Sequence, residues 1–124
     1  MRTITGLQMG IRVVWVVQLV LGVLFWTGNA LGLVDLHQLL GILLVLGLWT
    51  MAALAHRAGV PAGLVAAAAV WGLIVLIVGL TQTDLLTGSL HWLIQVIHLL
   101  LGLGLIGLAE QLATRAKARL APVA

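Results

Sequence analysis

Two of the four histidines, His37 and His98, lie within long apolar stretches, where an ionisable side chain needs a partner. Each is followed four residues later by a glycine, Gly41 or Gly102, and residues four apart share one face of a helix. Imidazoles on two facing helices can fill both axial positions of one haem iron, and glycine would let a porphyrin lie against bare backbone. The pattern predicts a bis-histidine haem b site with His37 and His98 as the iron ligands.

The depths of the two histidines in a membrane agree with this prediction. His37 precedes Arg57 by twenty residues, about 30 Å of helix, and His98 precedes Arg115 by seventeen residues, about 25 Å. The two side chains are therefore expected within about one helical turn of the same depth, towards the side opposite the arginines.

Further polar and small residues extend the predicted site. On the helix of His98, His91 and Gln95 precede the ligand at steps of seven and three, so all fall on one face. Gln95 is predicted to contact the cofactor, and His91 to contact a haem propionate or a quinol. An earlier helix carries a comparable stripe of Gln18, Gly22 and Phe25. His56, beside Arg57, is interpreted as a solvated helix end.

Two other interpretations of the histidine pair remain open. The side chains could form hydrogen bonds between helices, with the glycines allowing close packing. Zinc or copper could also bind, although protein sites for these metals normally use three or four ligands. The pair supplies two.

The composition defines the class of protein that must hold this site. Of 124 residues, 63% are hydrophobic and 7% are charged, and the mean hydropathy is +1.26, which excludes a soluble globule. The absence of cysteine excludes disulfides, thiolate metal sites and covalent haem attachment. The net charge of +3 comes from residues at the ends of apolar runs, so no nucleic-acid surface is expected.

Four apolar runs are long enough to cross a bilayer, which takes about 20 helical residues. Short connections make neighbouring helices antiparallel, which predicts an all-α, transmembrane four-helix bundle of up-down-up-down topology. The chain is expected to form one domain, residues 1–124, with helices near 11–28, 34–55, 61–81 and 90–112.

The basic residues predict the orientation of this bundle, because short loops rich in Lys and Arg stay in the cytoplasm. One side carries Asp35 and Asp84 and no cation. Both termini are therefore expected in the cytoplasm, in a bacterial-type inner membrane. This orientation follows because all six basic residues fall on the side of the termini: Arg2, Arg12, Arg57, Arg115, Lys117 and Arg119.

The two halves of the chain show an internal similarity. Val14-Trp15 aligns with Val70-Trp71, and the segment around His37 aligns with the segment around His98. The similarity indicates two duplicated helical hairpins.

The segment from Leu90-His91-Trp92 to His98-Leu99-Leu100-Leu101-Gly102, with His37 61 residues before His98, resembles one four-helix half of the haem A synthase family. It is similar more loosely to small membrane cytochromes b of the b561 type. The resemblance implies a histidine pair on the second and fourth helices, His37 and His98. The family usually has a glutamate three residues before the first of these histidines, where this chain has Val34.

These observations predict a haem b protein that transfers electrons near the outer membrane face. Two axial imidazoles leave no open iron position, which favours an electron carrier over an enzyme. Expected partners are the lipid bilayer, a quinol or quinone, a membrane redox complex and a second copy in a homodimer. The alternatives are a cofactor-free accessory or assembly subunit of a larger membrane complex, and a haem-modifying enzyme related to haem A synthase.

Overall fold

The structure is a computed structural model that describes residues 1–122, and it contains four α-helices and one 3-10 turn. The helices are α1 (Arg2–Trp26), α2 (Val34–Arg57), α3 (Ala62–Thr81) and α4 (His91–Leu120). The 3-10 turn, Leu31–Leu33, leads directly into α2. All four helices are long and apolar enough to cross a membrane, and many large apolar side chains face outwards. The predicted all-α four-helix class and the multi-pass membrane character are confirmed.

The helices α2 and α4 form the central pair of the bundle. Each of them contacts the other and also both remaining helices, whereas α1 and α3 make no contact with each other within residues 1–122. The two predicted histidine-bearing helices therefore face each other across the middle of the bundle. The sequence alone left this relation undetermined.

The bundle has two chemically different ends. The basic end is where α1 begins and α4 terminates, and all six Lys and Arg residues lie towards it. The acidic end contains the α1–α2 and α3–α4 connections, with Asp35 and Asp84 exposed there. Asp35 lies in the first turn of α2 without a capping hydrogen bond, where its charge still interacts favourably with the helix dipole.

Small buried residues are concentrated on α2 and α4 in the half of the bundle nearest the basic end. Ala52 and Ala55 of α2 are buried, as are Ala109, Ala113 and Ala116 of α4. Alanine lets helix backbones approach closely, and this packing is a common means of association in membranes. Larger buried side chains complete the core: Val45, Leu48, Met51, Leu105 and Leu112.

Polar side chains near the basic end join α1 to α4. Glu110 accepts hydrogen bonds from Arg12 Nε and Nη2, both at 2.7 Å, and from Gln8 Nε2 at 2.6 Å. Lys117 Nζ donates to Gln8 Oε1 at 2.7 Å. The buried amide of Gln8 is thus satisfied on both sides.

This network explains why two helices are longer than their apolar runs. The spans predicted for α1 and α4 were 11–28 and 90–112, yet α1 begins at Arg2 and α4 continues to Leu120. The extra turns carry the polar partners of the network, which hydropathy does not register. The bounds of α2 and α3 lie within two residues of the predicted ones.

The turn from α2 to α3 is a Schellman motif. Gly59 has φ +85°, and its N–H donates to the carbonyl of His56 at 2.9 Å. The N–H of Val60 donates to the carbonyl of Ala55 at 3.0 Å, and the Val60 side chain is buried. A left-handed glycine of this kind ends the helix and satisfies its last carbonyls.

Candidate cofactor site

The imidazoles of His37 and His98 face each other in the half of the bundle nearest the acidic end. His37 lies one turn from the start of α2, and His98 lies two turns from the start of α4. Their ring centroids are 6.2 Å apart, and the ring planes are inclined by 59°. The direct contact between α2 and α4 brings the two rings to the same depth.

This separation leaves room for one atom between the rings. A bond from an imidazole nitrogen to a metal ion is about 2 Å long, so a metal ligated from both sides requires ring centroids about 6 Å apart. The observed centroid separation of 6.2 Å is close to that value. Direct hydrogen bonding between two rings would bring the centroids closer.

Three polar atoms at the site are buried without hydrogen-bond partners: His37 Nδ1, His98 Nδ1 and Gln18 Oε1. Buried polar atoms are almost always paired, so such a concentration is unusual. Bonds within the bundle therefore do not satisfy the histidines. This argues against an interpretation in which the pair serves only to hold the helices together.

A cavity of about 340 Å³ surrounds the pair, within the size range of small-molecule sites. All four helices contribute to its wall. Its floor, towards the centre of the bundle, is formed by the buried Leu44, Val45 and Leu105. Its other end reaches Trp26, Leu31 and the α3–α4 connection, so it opens towards the acidic end.

Every residue predicted for the site lines this cavity. The structure brings together His37, His98, Gly41, Gly102, His91 and Gln95. His91 lies near the mouth, at the first residue of α4, with its Nδ1 3.2 Å from the carbonyl of Leu85. The stripe of Gln18, Gly22 and Phe25 lines the cavity from α1. His56 lies at the other end of α2 and takes no part.

Gly41 and Gly102 line the cavity and face side chains of α1. Gly41 and Gly102 were expected to leave bare backbone beneath each ligand on its own helix. A Cβ on Gly41 would lie 3.1 Å from Gln18 Nε2, and one on Gly102 would lie 4.0 Å from Trp15 Nε1. Gly41 therefore makes room for the amide of Gln18, whereas a Cβ on Gly102 would make only an ordinary van der Waals contact.

The glycines opposite the rings belong to the neighbouring helices. A Cβ on Gly22 of α1 would lie 3.9 Å from His37 Cε1, and one on Gly79 of α3 would lie 3.3 Å from His98 Cε1. Each imidazole therefore has a glycine beside it on an adjacent helix. Nothing in the sequence singles out Gly79, because its relation to His98 arises only when α3 packs against α4.

Side chains from α1 and α3 hold the backbone beside each histidine. Gln18 Nε2 donates to the carbonyl of His37 at 2.9 Å. Trp15 Nε1 donates to the carbonyl of Gly102, and Trp71 Nε1 to that of Leu101, both at 2.9 Å. The two indoles thus bind consecutive carbonyls one turn after His98, from opposite sides of α4. Their positions inside apolar runs are equally typical of packing or lipid-facing residues.

The candidate ligands for a metal ion at this site are the two imidazoles. Within residues 1–122, no group of three or more His, Cys, Asp or Glu side chains could hold a metal ion. The pair thus lacks the three or four protein ligands typical of zinc and copper sites. It does suit a haem, whose porphyrin supplies the equatorial nitrogen ligands and leaves two axial positions to the protein.

No family model, curated protein or solved structure matches this chain.

Proposed function

We propose that this chain is a haem b protein that transfers electrons near the outer face of a bacterial-type inner membrane, with His37 and His98 as axial ligands. The observation that carries the proposal is the 6.2 Å separation of the two rings across a cavity open at one end. The unpaired Nδ1 atoms support it, because hydrogen bonds between helices do not account for the two buried imidazoles.

The surrounding side chains position and shield such a cofactor. Gln18, Trp15 and Trp71 fix the backbone beside the ligands. Gly22 and Gly79 leave space beside the rings, and the apolar floor excludes water. When bound, a haem iron with two imidazole ligands carries one electron at a time and has no free position for oxygen.

The location of the pair determines which partners can exchange electrons with it. The cavity opens at the acidic end, and the cations at the other end favour cytoplasmic termini. The site then lies near the outer face of the membrane. We propose a quinol, which dissolves in the bilayer, as the electron donor, and a membrane redox complex as the acceptor.

Absorbance spectroscopy of the purified protein tests the proposal. We expect a Soret band and, on reduction, a sharp α band at one haem per chain. The variants His37→Ala and His98→Ala should each lose these bands while circular dichroism shows an unchanged helix content. His56→Ala is the matched control, because His56 lies at the other end of α2, and it should keep full occupancy.

A folded protein without haem, or full occupancy in both ligand variants, would overturn the proposal. Carbon monoxide distinguishes a carrier from an enzyme. With both axial positions filled, the reduced protein should show no spectral change on addition of the gas. A change would indicate an open coordination position and favour the haem-modifying alternative.

A further inference from the structure

The mouth of the cavity contains no formal charge. Within residues 1–122, the residues that line the cavity include no Lys, Arg, Asp or Glu. The polar groups nearest the mouth are the side chains of Gln82, Thr83 and His91. Haem carries two carboxylates, and proteins commonly pair a ligand carboxylate with arginine or lysine. That pairing is missing here.

The wider charge distribution is also unfavourable to a ligand carboxylate. Asp35 and Asp84 are exposed at the acidic end, whereas all six cations lie towards the basic end. An anionic group at the mouth is therefore nearer to negative than to positive side chains. The field of the protein does not attract it to this position.

Burial deeper in the cavity offers no alternative for a carboxylate. The floor is formed by Leu44, Val45 and Leu105, all buried and apolar. An ionised carboxylate there would lose its hydration without a compensating partner, which is strongly unfavourable. Carboxylates on a ligand can remain hydrated only at the mouth, where no Lys or Arg is present to form an ion pair with them.

We infer that the site selects its ligand through the two imidazoles and the apolar walls, and not through carboxylates. An iron porphyrin whose carboxylates are esterified, and which is uncharged at its edge, binds as tightly as haem b. This inference rests on the proposed haem function and names the class of ligand that the site accepts.

Titration of the haem-free full chain in detergent micelles at pH 8 tests the inference. Haem b and its dimethyl ester are added separately, and binding is followed by the Soret band of the bis-histidine complex. With each free concentration corrected for partitioning into protein-free micelles, the dissociation constants should agree within about threefold, because neither carboxylates nor esters meet a charged side chain at the mouth.

A cation introduced at the mouth should make the protein bind haem b more tightly than the dimethyl ester. Gln82→Arg places a guanidinium beside the cavity mouth and should strengthen haem b binding about fivefold relative to the ester, the effect of one exposed ion pair. Gln111→Arg adds the same charge on an exposed position of α4 towards the basic end and should leave the ratio unchanged. Because the ratio is compared between variants, partitioning of the ester into micelles cancels.

The outcomes separate this inference from the proposed function. Binding of haem b with the ester more than tenfold weaker in the unmodified chain would overturn the inference and leave the haem function intact. An unchanged ratio in Gln82→Arg would also overturn it, because the mouth would then not be where ligand carboxylates lie. Failure of both porphyrins to bind would overturn the proposed function itself.

Discussion

The same two helices, α2 and α4, build a dense core in one half of the bundle and a cavity in the other. Towards the basic end, buried alanines bring the helices together, and the polar network around Glu110 is satisfied. Towards the acidic end, His37 and His98 stand across open space, with three buried polar atoms unpaired. The comparison shows that the basic half is densely packed, whereas the acidic half contains the cavity around the histidine pair.

The small residues in the two halves of the bundle differ, and this difference accounts for dense packing in one half and a cavity in the other. Alanine at the α2–α4 contact permits close packing, whereas glycine beside the histidines leaves room for rings and for side chains from α1. Adding carbon atoms at different levels of the bundle should therefore have different consequences. Three substitutions, in decreasing order of expected effect on stability, test this gradient.

The largest effect is expected in the dense half. Ala113 is fully buried, so Ala113→Leu forces three additional carbon atoms between α4 and its neighbours. Overpacking of this kind should destabilise the bundle by about 3 kcal/mol. Thermal unfolding in micelles, followed by circular dichroism, measures the loss. Ala67→Leu, on an exposed position of α3, is the control. An equal loss of stability in that variant would show that the effect does not come from overpacking of the buried core.

An intermediate effect is expected at the level of the cavity floor. A Cβ on Gly104 would clash with the indole of Trp71, so Gly104→Ala should displace that ring and weaken its bond to Leu101. We expect a destabilisation of about 2 kcal/mol. Gly107→Ala, one turn further along α4, meets nothing within 4 Å and should be neutral or slightly stabilising. Equal unfolding temperatures for the two variants would contradict this packing.

The smallest effect on stability, but a specific effect on the site, is expected beside His98. The Cβ of Gly79→Ala would lie 3.3 Å from His98 Cε1, so the ring must shift by a few tenths of an ångström. The stability change should stay below about 1 kcal/mol. The α band and reduction potential of the haem-loaded protein should change, while Gly63→Ala, which has open space around it, should alter neither. Identical spectra for both variants would place Gly79 outside the site.

The sequence predicted the architecture well because apolar run length and short connections determine a membrane bundle. It also singled out His37 and His98 as the ionisable groups within the spans that could reach equal depth, and the structure places their rings close together. It did not predict the full length of α1 and α4, because the polar residues in their extra turns are stabilised by partners about 100 residues away in the chain.

The roles of the small and aromatic residues at the site were beyond sequence reasoning for a related reason. Whether Gly41 accommodates a porphyrin or Gln18 depends on how α1 rotates against α2. The same holds for Trp15 and Trp71, whose indoles could equally have faced lipid. In helices that are apolar on all sides, the hydrophobic pattern does not indicate which face packs against which neighbouring helix.

The network around Glu110 has a consequence for how the protein assembles. Arg12 and its partner are 98 residues apart, and a chain is synthesised from its N-terminus. The contacts between α1 and α4 therefore form only after the fourth helix has been made. That helix also delivers His98. The addition of α4 to the first three helices therefore supplies the second imidazole together with one wall of the cavity.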